Sequence, residues 1–152
     1  MLRFRYLLAA ALALPAAAGY AQPQPLAMQD KAGVSYACGG IGDEGREALL
    51  ALRPQANIEL LLVSEKRGSY LAGVNLRLAR AGSGAEGAHI QAEGPICLIQ
   101  APPGTYRIDA TYEGVTRSRN VTASTGRPKP AVFAFPDSSD LEPETAGARA
   151  AR

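Results

Sequence analysis

The chain has 152 residues, with 16 Lys+Arg against 14 Asp+Glu, one His, two Cys and no Trp. That length suits one domain. The near balance of charge excludes the electrostatic footprint that nucleic acid or an anionic membrane surface would require.

Arg3 and Arg5 open the chain, and a small, apolar run follows over residues 6–18. In Gly19-Tyr20-Ala21, Gly19 and Ala21 then supply small residues at the positions a signal peptidase reads, with Pro23 soon after. This order predicts a signal peptide over residues 1–21, cleaved before Gln22. The apolar run is shorter than the roughly 20 residues a bilayer core needs, so no membrane span is expected after cleavage. Cleavage removes Arg3 and Arg5, two of the 16 cations, and no acid. The mature chain then holds 14 of each sign, a net charge near zero.

Residues 22–31 hold Pro23 and Pro25 and read as a flexible N-terminus. Residues 136–152 (PDSSDLEPETAGARAAR) have one large apolar side chain, Leu141, and read as a disordered tail. The folded unit is expected over residues 32–135.

Within it, residues 34–37 are a short extended segment, and Gly39, Gly40, Ile41 and Gly42 form a turn. Residues 43–53 (DEGREALLALR) predict the single helix. Asp43 is its candidate N-cap, Glu44 and Glu47 sit near the positive end of its dipole, and Pro54 ends it. Ala48, Leu49 and Leu52 form its apolar stripe.

From Ile58 the period changes to two. Residues 58–63 are an apolar strand, and EKRGS over 65–69 is a turn. Residues 70–79 alternate, with Val74, Leu76 and Leu78 on one face and Asn75 and Arg77 on the other. Residues 81–87 are a glycine-rich loop. Strands are expected over 89–92 and 96–100, then a Pro102-Pro103-Gly104 turn. Residues 105–113 place Tyr106, Ile108, Ala110 and Tyr112 inward. Glu113-Gly114 signals a two-residue hairpin, and residues 115–122 return. Residues 129–135 close the domain with Phe133 and Phe135 opposite Val132. Short strands spaced by turns at about ten residues predict an all-β, antiparallel β-sandwich with one short N-terminal helix.

Two cysteines in an exported chain suggest a Cys38–Cys97 disulfide, worth at most about 4 kcal/mol on the chain-entropy model because strain subtracts from it. Two separate buried thiols are the alternative.

The run GPICLIQAPPGTYRI over 94–108, followed by Ala110, Tyr112, Gly114 and Val121, resembles the Pro-Pro-Gly hairpin of carboxypeptidase regulatory-like domains. Those domains share a transthyretin-like sandwich, and the likeness extends over residues 36–135. It implies a non-catalytic accessory module of a bacterial envelope, periplasmic or secreted, and carries over no catalytic residues. Independently, Tyr106 has the makings of a corner tyrosine, with its ring buried and its hydroxyl returned to the backbone.

Gly40-x-Gly42-x-x-Gly45 has the spacing of a dinucleotide-binding loop, and Glu65 follows about 20 residues past Gly45. The hairpins beyond leave no second βαβ unit, and Asp43 and Glu44 would oppose a pyrophosphate at the helix start. No cofactor is expected. His89 stands without the ligand spacing of a metal site, and no nucleophile motif appears, so no catalytic or metal-binding residue is assigned. Two surfaces remain as candidates: the loop Gly39, Gly40, Ile41, Gly42 and Asp43, and a basic patch of Arg107, Arg117 and Arg119. The expected role is a binding module that contacts another envelope protein; the alternative is a carbohydrate-binding module.

Overall fold

The computed structural model describes residues 25–137. The expected signal peptide and nearly all of the expected C-terminal tail lie outside the described residues.

Among the described residues, nine strands build two facing sheets, accompanied by one α-helix. The strands are β1 (Gln29–Lys31), β2 (Val34–Gly39), β3 (Ile58–Ser64), β4 (Val74–Arg80), β5 (Ala88–Ala92), β6 (Ile96–Gln100), β7 (Gly104–Tyr112), β8 (Val115–Ala123) and β9 (Pro130–Phe135), with helix α1 (Gly42–Leu52) between β2 and β3. One sheet has five strands in the order β1-β2-β6-β3-β9; the other has four, β5-β4-β7-β8. The expected all-β sandwich is the observed fold.

Three local differences have physical causes. The segment expected to be flexible contains β1, because Ala32 (φ 50) and Gly33 (φ 82) both take positive φ and fold it back onto β2. The helix begins at Gly42 rather than Asp43. Ile41 occupies the N-cap without a side-chain bond, so Asp43 lies in the first turn and does not cap. Pro54 falls in a 3₁₀ turn, Arg53–Gln55, that extends the helix end. The sandwich is also not wholly antiparallel: β9 runs parallel to β3. A parallel pair needs a long crossover, and here the whole second sheet supplies it.

The core lies between the sheets. Leu60, Leu62, Phe133 and Phe135 face Leu76, Leu78, Ile90 and Ile108, all at most 3% exposed. Small Ala88, Ala92 and Ala110 leave room for the phenylalanine rings. Tyr112 packs on Phe135 with ring centroids 5.7 Å apart. The Tyr106 hydroxyl donates to the Pro102 carbonyl at 2.8 Å, as a corner tyrosine does. The hairpin joining β7 and β8 turns at Glu113 (φ 46) and Gly114 (φ 80), the geometry of a two-residue loop.

Cys38 and Cys97 stand directly opposite each other on β2 and β6, with Cα atoms 4.1 Å apart, and form a disulfide. It lies on the core face of the five-stranded sheet. On the outer face of that sheet, Leu49 and Ala56 pack on Ala37 and Leu98, with Leu52, Ile96 and Met28 at the margin. Ala48 is exposed, so the helix buries a narrower stripe than its sequence suggests. An ion pair of 2.8 Å between Arg53 and the nearly buried Glu59 ties the helix end to β3.

Candidate functional site

The turn after β2 is built by its glycines. Gly40 (φ 90) and Gly42 (φ 71) occupy conformations that side chains disfavour. Gly94 packs backbone against backbone below them: a Cβ there would come within 2.3 Å of the Gly39 carbonyl oxygen. With the disulfide one residue away at Cys38, the turn is held from two sides. Its product is an exposed apolar side chain, because Ile41 is 65% exposed at the tip.

Facing the turn is Tyr70. The segment after β3 folds back along the upper half of that strand. The Ser64 amide donates to the Ser69 carbonyl at 2.9 Å, and the Leu71 amide to the Leu62 carbonyl at 3.0 Å. Tyr70 bridges Val63 and is 59% exposed. The Arg46 guanidinium lies 5.9 Å from its ring centroid, within reach of a cation–π contact. Arg46 also approaches Asp43 at 3.9 Å, a fully exposed partner. Between turn and ring is an open cavity of about 260 Å³, lined by Gly40, Ile41, Arg46, Tyr70, Leu71 and Pro95 among others.

The apolar surface continues beyond the cavity. Val63 pairs with both Tyr70 and Ala134, and Leu61 with both Ile96 and Val132. Residues paired across a ladder share a face. Tyr70, Val63, Ala134, Leu61 and Val132 therefore form one run across the outer face of β3 and β9. α1 packs over β2 and β6, and this run lies beside it. Val132 is 38% exposed. Of the expected loop, Gly39 closes β2, Gly40 and Gly42 shape the turn, Ile41 presents the contact, and Asp43 points to solvent. Sequence reasoning missed Tyr70 and the run on β3 and β9. The available signal was the run Leu60, Leu61, Leu62 and Val63, which shows no alternation and so leaves apolar side chains on both faces.

The basic patch does not assemble. A two-residue hairpin pairs each odd-numbered residue of β7 with an even-numbered residue of β8, so Arg107 stands opposite Asn120. Arg117 and Arg119 stand opposite Ala110 and Ile108, on the inward side of the sheet edge. Arg117 reaches across the sandwich, contacting Glu65 at 2.6 Å and the Ala134 carbonyl at 3.3 Å. Arg107 stays on the outer face, where it donates to Asp109 at 3.0 Å. Asp109 also accepts from Ser118 at 2.6 Å and Arg77 at 3.3 Å. The Ser118 hydrogen bond, opposed by burial and aided by Arg107 and Arg77, holds its carboxyl below the usual range.

His89 is exposed on β5 opposite Arg77. Among the described residues, no three His, Cys, Asp or Glu side chains gather as metal ligands. Gly40, Gly42 and Gly45 lead into α1 as a dinucleotide loop would. However, β6 runs antiparallel between β2 and β3, where such a unit needs adjacent parallel strands. No helix among the described residues is long and apolar enough to cross a membrane. The sequence matches no protein-family model and no curated protein.

Proposed function

We propose that the chain is an exported, non-catalytic binding module of a bacterial envelope, of the carboxypeptidase regulatory-like type, and that it contacts another protein through the Ile41–Tyr70 surface. The observation that carries this reading is the pairing of two large, exposed apolar side chains across one cavity, each held by backbone structure. Exposed apolar surface contiguous with a pocket is the usual mark of a contact site. Both sides are rigid, so little ordering entropy opposes binding.

The chemistry of the cavity favours one kind of partner. An apolar or aromatic side chain fits between Ile41, Leu71 and Pro95. Arg46 at the rim suits a carboxylate beside that side chain. The disulfide supports export, since such bonds persist in oxidising compartments.

The test is capture by light cross-linking in cells producing the protein with its own leader. A partner recovered with the native chain is expected to vanish with Ile41→Asp and with Tyr70→Ser. Both variants should keep the native melting temperature, because both side chains are exposed. Undiminished recovery of the same partner by both variants would sink the reading.

A further inference from the structure

At the other end of β3 the molecule carries a recess of different chemistry. The connection from β8 to β9, residues 124–129, passes the start of β3 and leaves a cleft of about 390 Å³. Asn57, the β8 edge over residues 120–122, Ser124, Arg127 and Lys129 line it. A second recess of about 450 Å³ lies on the other side of the same connection, lined by Arg53, Pro54, Gly126 and Arg127 among others. Arg127 is common to both.

Three observations point to a ligand. First, Arg127 and Lys129 make no ion pair among the described residues. The neighbouring Arg53 is already paired with Glu59. Second, no acidic residue lines either recess. Unpaired cations in one recess repel each other, and an anion relieves that repulsion. Third, the recess is pre-formed. The Asn57 side chain donates to the Ala101 carbonyl at 2.7 Å and accepts from its amide at 3.0 Å, which fixes one wall. Pro128 and Pro130 flank Lys129 and stiffen the opposite wall.

The lining also selects among anions. Pro128 and Pro130 offer no N–H, so a peptide strand cannot pair along that wall. The Ser124 hydroxyl and the edge backbone of β8 offer donors and acceptors that ring hydroxyls can meet. A guanidinium beside them matches a carboxylate in a bidentate fork. No aromatic side chain lines the cleft, so recognition rests on charge and hydrogen bonds, not on stacking.

We infer that this cleft binds an acidic saccharide, with a uronate carboxylate on Arg127 and Lys129 and ring hydroxyls on Ser124 and the β8 edge. An oligomer would pass Arg127 from one recess into the other. This site is separate from the Ile41–Tyr70 surface and does not depend on it.

The experiment is titration of the purified exported protein with oligogalacturonate, followed by amide chemical shifts. Maltotetraose and polyglutamate serve as controls. Saturable shifts confined to residues 53–58 and 120–131 are expected. The Arg127→Ala/Lys129→Ala variant should weaken the dissociation constant at least tenfold at an unchanged melting temperature, since both side chains are exposed. Raising the salt should weaken binding in the same direction. The Ile41→Asp variant should bind oligogalacturonate as the native chain does. Absence of saturable shifts with oligogalacturonate, or equal affinity in the double variant, would overturn the proposal. Equal binding of maltotetraose would remove the role of charge, and equal binding of polyglutamate would remove the saccharide.

Discussion

The two sheets share one core but present opposite outer faces. On the four-stranded sheet, polar residues satisfy one another: Thr111 and Thr116 lie 2.8 Å apart, and Asp109 gathers Ser118, Arg107 and Arg77. On the five-stranded sheet, α1 covers β2 and β6, and apolar side chains of β3 and β9 remain partly exposed beside Tyr70. A polar face whose groups are already paired offers little to a partner. An apolar face left partly bare gains by being covered. The difference locates the candidate contact surface on the five-stranded side, away from the arginines that attract notice in the sequence.

The largest effect tests whether the core is as closely shared as this comparison requires. Phe133→Ala should cost about 4 kcal/mol by removing a buried ring from β9. Denaturant unfolding should show one transition for both sheets; separate transitions would mean that they fold independently. Next, Cys97→Ser should cost about 3 kcal/mol. Because the bond lies in the five-stranded sheet, hydrogen exchange should rise first in β2 and β6, with β7 and β8 still protected. If β7 and β8 exchanged first, the bond would not act locally.

A smaller change sharpens the other side. Glu113→Gly at the β7–β8 turn relieves a side chain held at φ 46 and should stabilise by about 1 kcal/mol, read as a raised denaturant midpoint. The smallest effect concerns Asp109. Its folded carboxyl lies below its ordinary value, so the charged form stabilises the fold above the unfolded value of about 3.9. That contribution fades as pH falls through the lower folded value. Asp109→Asn should lower stability slightly at neutral pH, where that contribution is fully present, and flatten the acid limb of a stability–pH curve below about pH 4, so that the two curves converge in acid. A parallel curve for the variant would show that the polar face contributes no pH dependence.

Strand positions were legible where alternation was clean. Val74, Leu76, Leu78 and Tyr106, Ile108, Ala110 point inward as their period demands. The Glu113-Gly114 turn was legible because few residue pairs accept positive φ in succession. Which strand neighbours which was not legible. Nothing local to residues 130–135 says that they run parallel to β3, since that pairing depends on a connection through the whole other sheet. The fate of the arginines was hidden for a related reason: hairpin register decides the face, and a one-residue difference in parity moves Arg117 and Arg119 away from Arg107.

Of the candidate surface, the glycine turn could be read from the chain and Tyr70 could not. Gly39, Gly40 and Gly42 announce an unusual backbone by composition alone. Tyr70 reads as one more residue of an alternating stretch, and only its bridge to Val63 brings it opposite Ile41. The sequence by itself therefore determined the period of each strand, the sharp turns and the two cysteines available for pairing, because these follow from side-chain chemistry and local backbone sterics. The tertiary structure alone decided strand order, the parallel β3–β9 pair, the separation of the arginines and the meeting of Ile41 with Tyr70. Those depend on how distant segments share one buried interior, and no short-range rule contains that information.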